Sequence, residues 1–136
     1  MPSILVVDDE ADVRHFLRLV LEPAGHEVLE ASNGKEAMEE IRRKTFDLVI
    51  TALFMPVQEG FETIRALKKE YAGLRVIAMS DRFRDFHQGS LLGMAVALGA
   101  KAGMPKPLSA DLVLETVQMC LSTRCGPPLI LAFGPL

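Results

Sequence analysis

Ile4-Leu5-Val6-Val7-Asp8-Asp9-Glu10 is the stretch that decides the fold. Ile4 to Val7 is an unbroken apolar run rich in β-branched residues, the pattern of a strand buried on both faces of a parallel sheet. Asp8 ends that strand. Val13, Phe16, Leu17 and Val20 then recur at helical spacing until Pro23 and Gly25 stop the helix.

The same strand-then-helix alternation repeats along the chain. Glu27 to Ala31 reads as a shorter, more exposed strand, and Asn33 with Glu36 resembles a capping box opening a helix that runs to about Arg43. Asp47 to Thr51 is a third strand. The loop Phe54-Met55-Pro56 leads from it to a helix with Phe61, Ile64, Leu67 and Tyr71 inward. Arg75 to Met79 is a fourth strand, with Ser80 at its carboxyl end. A polar loop, Asp81 to Gln88, follows, and then a helix facing inward with Leu91, Leu92, Ala95 and Leu98 until Gly99. Ala102 to Met104 is a weak fifth strand before Lys106-Pro107. Ser109 caps a last helix with Val113, Val117, Cys120 and Leu121 aligned. Five strands alternating with five helices imply an α/β, doubly wound parallel sheet with right-handed crossovers, and ligands bind where the carboxyl ends of its strands form a crevice. Residues 1–122 make this domain, and 123–136, with the Cys125-Gly126-Pro127-Pro128 break and the apolar run Leu129 to Phe133, read as a tail.

Composition narrows the function classes. The chain has 136 residues, 49% of them hydrophobic and 24% charged, enough for one domain with a filled core. A net charge of −3 offers no positive field for phosphate backbones, so no direct nucleic-acid partner is expected. Cys120 and Cys125 lack a zinc spacing and a disulfide framework, so a reduced, cytoplasmic protein is expected, with Cys120 in the core and Cys125 a free thiol. No apolar stretch approaches the roughly 20 residues of a membrane span. His15, His26 and His87 lie on different elements without ligand spacing and read as surface or packing residues.

Four residues distant in sequence gather at the carboxyl edge of the sheet. Asp8 and Asp9 are adjacent carboxylates that need a cation between them, and a hard, oxygen-rich site suits Mg²⁺. Lys106 is a point charge for a phosphoryl group, and the Ser80 hydroxyl can donate to its oxygens. The set fits phosphoryl chemistry, in which positioning and charge neutralisation carry the reaction. Each residue also has a plainer reading: solvated loop acids, a turn serine, a surface lysine.

Taken together, the Ile4–Glu10 motif, the Asp47-Leu48-Val49-Ile50 strand leading to Met55-Pro56, Ser80 and Lys106-Pro107 resemble a response-regulator receiver domain of two-component signalling, over about residues 3 to 122. The resemblance implies a flavodoxin-like sheet in the order 2-1-3-4-5 and a non-enzymatic phosphorelay module. It implies Mg²⁺ held by Asp8, Asp9 and the backbone carbonyl of Phe54, with Ser80 and Lys106 on the phosphoryl group. It also implies a histidine kinase or phosphotransfer protein as partner, with a protein or a second copy docking on the face of the fourth helix, fifth strand and fifth helix.

The chain departs from that family at telling positions. The acceptor aspartate, three residues before Met-Pro, is here Ala52; a methyl group neither attacks phosphorus nor ligates a metal, and Thr51 points to the other face. The aromatic switch residue, three positions before the lysine, is Gly103. The loop carrying Arg82, Phe83, Arg84 and Phe86 is long for the family. Two origins for Ala52 stand side by side. Retained Asp8, Asp9, Ser80 and Lys106 suit a deliberate or recent Asp→Ala change, and Gly103, the loop and the tail suit natural divergence. Two rivals are weaker. A Mg²⁺-dependent haloacid-dehalogenase-type phosphatase needs Asp-x-Asp where this chain has Asp8-Asp9-Glu10 and no cap domain, and a flavin carrier would meet repulsion from Asp8, Asp9, Glu10 and Asp12.

Overall fold

The computed structural model describes residues 1–53, 60–71, 73–81 and 99–122. Within them the strands are β1 (Ser3–Val7), β2 (Glu27–Ala31), β3 (Leu48–Ala52), β4 (Arg75–Asp81) and β5 (Ala102–Lys106), and the helices are α1 (Ala11–Leu21), α2 (Gly34–Arg43), α3 (Gly60–Glu70) and α4 (Ala110–Ser122). The strands form one parallel sheet in the order β2-β1-β3-β4-β5, as expected. Of the five expected helices, the one carrying Leu91 to Leu98 lies outside the described residues, as do the Phe54-Met55-Pro56 loop, Arg82 to Gln88 and the 123–136 tail.

Central strands read as unbroken apolar runs because helices cover both of their faces. Ile4 to Val7, Leu48 to Ile50 and Val76 to Met79 are all fully buried, whereas edge strand β2 is mixed, with Val28 and Ala31 buried and Glu27 and Glu30 exposed. Leu17 and Leu21 of α1, Ile64 and Leu67 of α3, and Val113, Val117 and Cys120 of α4 complete the core, and Val13, Phe16 and Val20 pack half-buried against it. Tyr71, expected on the inner face of the third helix, stands just beyond the end of α3 and is also half-buried.

Several boundaries differ from the sequence reading. β3 starts at Leu48 and continues through Ala52, because the ladder runs on: Ala52 pairs with Met79, and the Leu53 amide donates to the Met79 carbonyl at 3.0 Å. β4 runs past Met79 to Asp81, and β5 reaches Lys106, since Ser80 and Asp81 find register partners in Pro105 and Lys106. Pro105 has no amide to donate, which an edge strand tolerates. The α2 cap is a variant of the expected box. Asn33 accepts from the Glu36 amide at 2.9 Å, while the Glu36 carboxylate turns to the amide and hydroxyl of Ser32 instead of the cap residue's own amide. Ser109 caps α4 as expected, its Oγ accepting from the Leu112 amide at 3.1 Å. Gly99 has a φ of +123°, and a Cβ there would stand 2.5 Å from Lys68 Cγ, so the backbone requires glycine twice over.

Candidate functional site

The sheet register determines what meets at the carboxyl edge. Val7 pairs with Thr51, so Asp8 and Ala52 are the next residues along neighbouring strands and project from the same side of the sheet. Lys106 ends β5 opposite Asp81. Asp8 is wholly buried and Ala52 is 2% exposed, while Asp9 and Glu10 stand in the exposed loop between β1 and α1.

Backbone contacts hold this loop in place. The Glu10 amide donates to Asp8 Oδ1 at 2.9 Å, and an Arg14 guanidinium nitrogen donates to the Asp8 carbonyl at 2.6 Å. Arg14 is itself tied to Glu30 of β2 at 3.0 Å, and Glu30 is shared with Arg18 at 2.8 Å. Glu10 caps α1 through its carbonyl, which accepts from the Val13 and Arg14 amides, so its carboxylate is left for other work. The acids also stand at the positive end of the α1 dipole, which favours negative charge.

Lys106 supplies the countercharge. Its Nζ lies 2.7 Å from Asp8 Oδ2 and 3.2 Å from Glu10 Oε1. The first contact is an ion pair without good hydrogen-bond alignment, since Asp8 Oδ2 is a buried atom with no hydrogen-bond partner. Burial pushes the Asp8 carboxyl above the usual carboxylate range, against the pull of Lys106 and the Glu10 amide. Burial would lower the Lys106 ammonium, but the Asp8 and Glu10 carboxylates outweigh it and hold Lys106 above the ordinary lysine value.

Oxygen atoms of Asp8, Asp9 and Glu10 come within 4.8 Å of one another. Three carboxylates, one with an unaligned buried oxygen, are a donor set that fits a hard divalent cation such as Mg²⁺. The crevice therefore contains Asp8, Asp9 and Lys106 as the sequence implied. It contains Ser80 only as backbone, in β4 beside Pro105, since the Ser80 side chain and Phe54 lie outside the described residues. The Thr51 hydroxyl is buried on the other side and donates to the Ala52 carbonyl at 3.1 Å. Gly103 is buried in β5 opposite Ala78. Sequence reading missed the roles of Glu10 and Arg14. Glu10 was visible as a third consecutive acid; Arg14, whose contact is with a backbone carbonyl, left no signal.

Comparison with known proteins shows the family and the fold. Residues 4–118 match the response regulator receiver domain, and the chain belongs to that family. Chemotaxis protein CheY of Bacillus subtilis is 35% identical over 120 residues, 88% of this chain and 97% of that protein. Response regulator GtcR of Aneurinibacillus migulanus is 36% identical over 107 residues, 79% of this chain but 42% of that protein. The chain thus spans nearly all of one relative and less than half of the other. The solved receiver domain of NtrX from Brucella abortus superposes with a TM-score of 0.82 at 27% identity, over 88% of this chain and 98% of that one. The fold is therefore the flavodoxin-like receiver fold, and the dehalogenase-type phosphatase reading is not supported. Receiver domains are generally non-enzymatic signalling modules that bind Mg²⁺ at an acidic pocket and interact with histidine kinases or phosphotransfer proteins. No described helix is long and apolar enough to cross a membrane.

Proposed function

We propose that this chain is a receiver that does not take up a phosphoryl group, because the acceptor position carries Ala52, and that it works as a cytoplasmic protein-binding module of two-component signalling. The observation that carries this reading is the register neighbourhood of Asp8 and Ala52: the side chain beside the buried acid is a methyl group, and Lys106 pairs with Asp8 and Glu10 instead of with an acceptor. Thr51 does not substitute, since its hydroxyl is engaged on the far side.

Residues 1–122 form the working unit, with 123–136 as a tail. Asp8, Asp9 and the Phe54 carbonyl would hold Mg²⁺ weakly if it binds, and it would supply charge neutralisation there. Ser80 and Lys106 keep their places without a phosphoryl group to hold. A histidine kinase or phosphotransfer protein is the signalling partner, docking near α1 or on the face that includes β5 and α4, and a protein partner or a second copy uses the latter face. Gly103 brings no ring to couple the crevice to that face, so one arrangement persists.

The test is amide hydrogen exchange over 99–122 with and without beryllofluoride and Mg²⁺. Beryllofluoride mimics a phosphoryl group on a carboxylate at the acceptor position, which Ala52 does not supply, so the exchange pattern should be unchanged. Ala52→Asp should respond, and over 99–122 only weakly. Protection changes in the unaltered chain would overturn the reading.

A further inference from the structure

We propose that Lys106 is the resident cation of this crevice: its ammonium occupies the place on Asp8 and Glu10 that a divalent ion would otherwise take, so these acids are charge-compensated without metal and Mg²⁺ binds only against it. This rests on the reading of the chain as a receiver with Ala52 at the acceptor position, and it specifies how that site is regulated.

Charge and geometry carry the inference. Three carboxylates whose oxygens lie within 4.8 Å repel one another unless a cation stands among them. Among the described residues the cation ion-paired with these carboxylates is Lys106, 2.7 Å from Asp8 Oδ2 and 3.2 Å from Glu10 Oε1, while Arg14 reaches the Asp8 main-chain carbonyl. Its side chain is 13% exposed and lies against the buried Asp8, with the 56% exposed Glu10 on its solvent side, so the ammonium is not a surface charge swinging through solvent. An acceptor carboxylate at position 52 would give Lys106 a further partner beside Asp8; alanine leaves the ammonium to Asp8 and Glu10.

The loop itself is fixed by contacts that do not involve Lys106. The Glu10 amide holds Asp8 Oδ1, and Arg14 holds the Asp8 carbonyl. Removing the ammonium therefore leaves the acids gathered and uncompensated, with Asp8 Oδ2 open to a new cation. A divalent ion bonded to that oxygen while Lys106 remains would stand within a few ångströms of the ammonium, and a double and a single positive charge at that range repel by about 2 kcal/mol even in water. One position serves one cation. The consequence for signalling is independence from Mg²⁺: the crevice keeps one state whether or not the metal is present.

Isothermal titration with Mg²⁺ alone, on the unaltered chain, Lys106→Met and Lys106→Arg, tests this. Lys106→Met should bind Mg²⁺ tighter than the unaltered chain by roughly tenfold or more, and millimolar Mg²⁺ should raise its melting temperature more. Lys106→Arg, which keeps the charge, should not gain affinity. If Lys106→Met is unfolded without metal, far-UV circular dichroism should recover as Mg²⁺ is added. Equal or weaker Mg²⁺ affinity in Lys106→Met, or failure to recover at saturating Mg²⁺, would overturn the proposal. A separate acetyl phosphate arm separates the two failures. A phosphoryl adduct on the unaltered chain would remove the reading beneath, while the Mg²⁺ comparison would still report on Lys106.

Discussion

Restoring a carboxylate with Ala52→Asp should destabilise the metal-free protein. Position 52 is 2% exposed and lies one step past the Val7–Thr51 pair, so the new side chain projects beside Asp8 on a strand about 4.8 Å away. Two unit charges about 5 Å apart repel by roughly 3 kcal/mol at an effective dielectric near 20, and attraction to Lys106 returns about half of that. Protonation sets a ceiling. At neutral pH a carboxyl of ordinary pKa can take up a proton for about 4 kcal/mol, so the charge penalty cannot exceed that figure. A net loss of about 1–2 kcal/mol lowers the melting temperature of a domain this size by several degrees. Scanning calorimetry in EDTA should show that drop, and saturating Mg²⁺ should reverse much of it. An unchanged or higher melting temperature in EDTA would refute the reasoning, since Lys106 would then be binding the new carboxylate more strongly than Asp8 repels it.

Burial, with the N-terminal ammonium adding to it, depresses the pKa of His26 below its usual 6.5. The folded state therefore binds fewer protons than the unfolded one; stability should be full above pH 6.5 and fall as the pH drops toward the folded pKa, and His26→Gln should flatten urea midpoints across that window. Burial pushes the Cys120 thiol up to about 11. In a Cys125→Ser background Cys120 should resist a disulfide reagent in native buffer and react on denaturation; rapid native labelling would contradict its burial. Gly99→Ala places a Cβ 2.5 Å from Lys68 Cγ at a φ of +123° and should cost about 1–3 kcal/mol by chemical denaturation. Asn33→Ala removes the α2 cap and should cost about 1 kcal/mol, with a loss below a few tenths showing that the Ser32–Glu36 bonds suffice.

Strand order and core were legible because buried parallel strands are written as apolar runs and covering helices as periodic stripes. Ile4 to Val7 and the α4 stripe of Val113, Val117 and Cys120 are clear cases. The ends of strands were less legible, since they depend on a neighbour's register: β3 includes Ala52 and β5 includes Lys106 only because β4 offers backbone partners there. For the site, Asp8, Asp9 and Lys106 were readable as chemistry-bearing residues at strand ends. The pairing of Lys106 with Glu10 depends on how the loop turns after Asp8, and Arg14 acts through a main-chain carbonyl, which carries no residue-type signature.

Phosphoryl transfer to the protein itself tests the absence of an acceptor most directly. Incubation with Mg²⁺ and acetyl phosphate, read by intact mass, should leave the unaltered chain at its starting mass, while Ala52→Asp gains one hydroxylamine-labile phosphoryl group. A stoichiometric, hydroxylamine-labile phosphoryl group on the unaltered chain, mapped to Asp8, Asp9 or any other carboxylate, would contradict it.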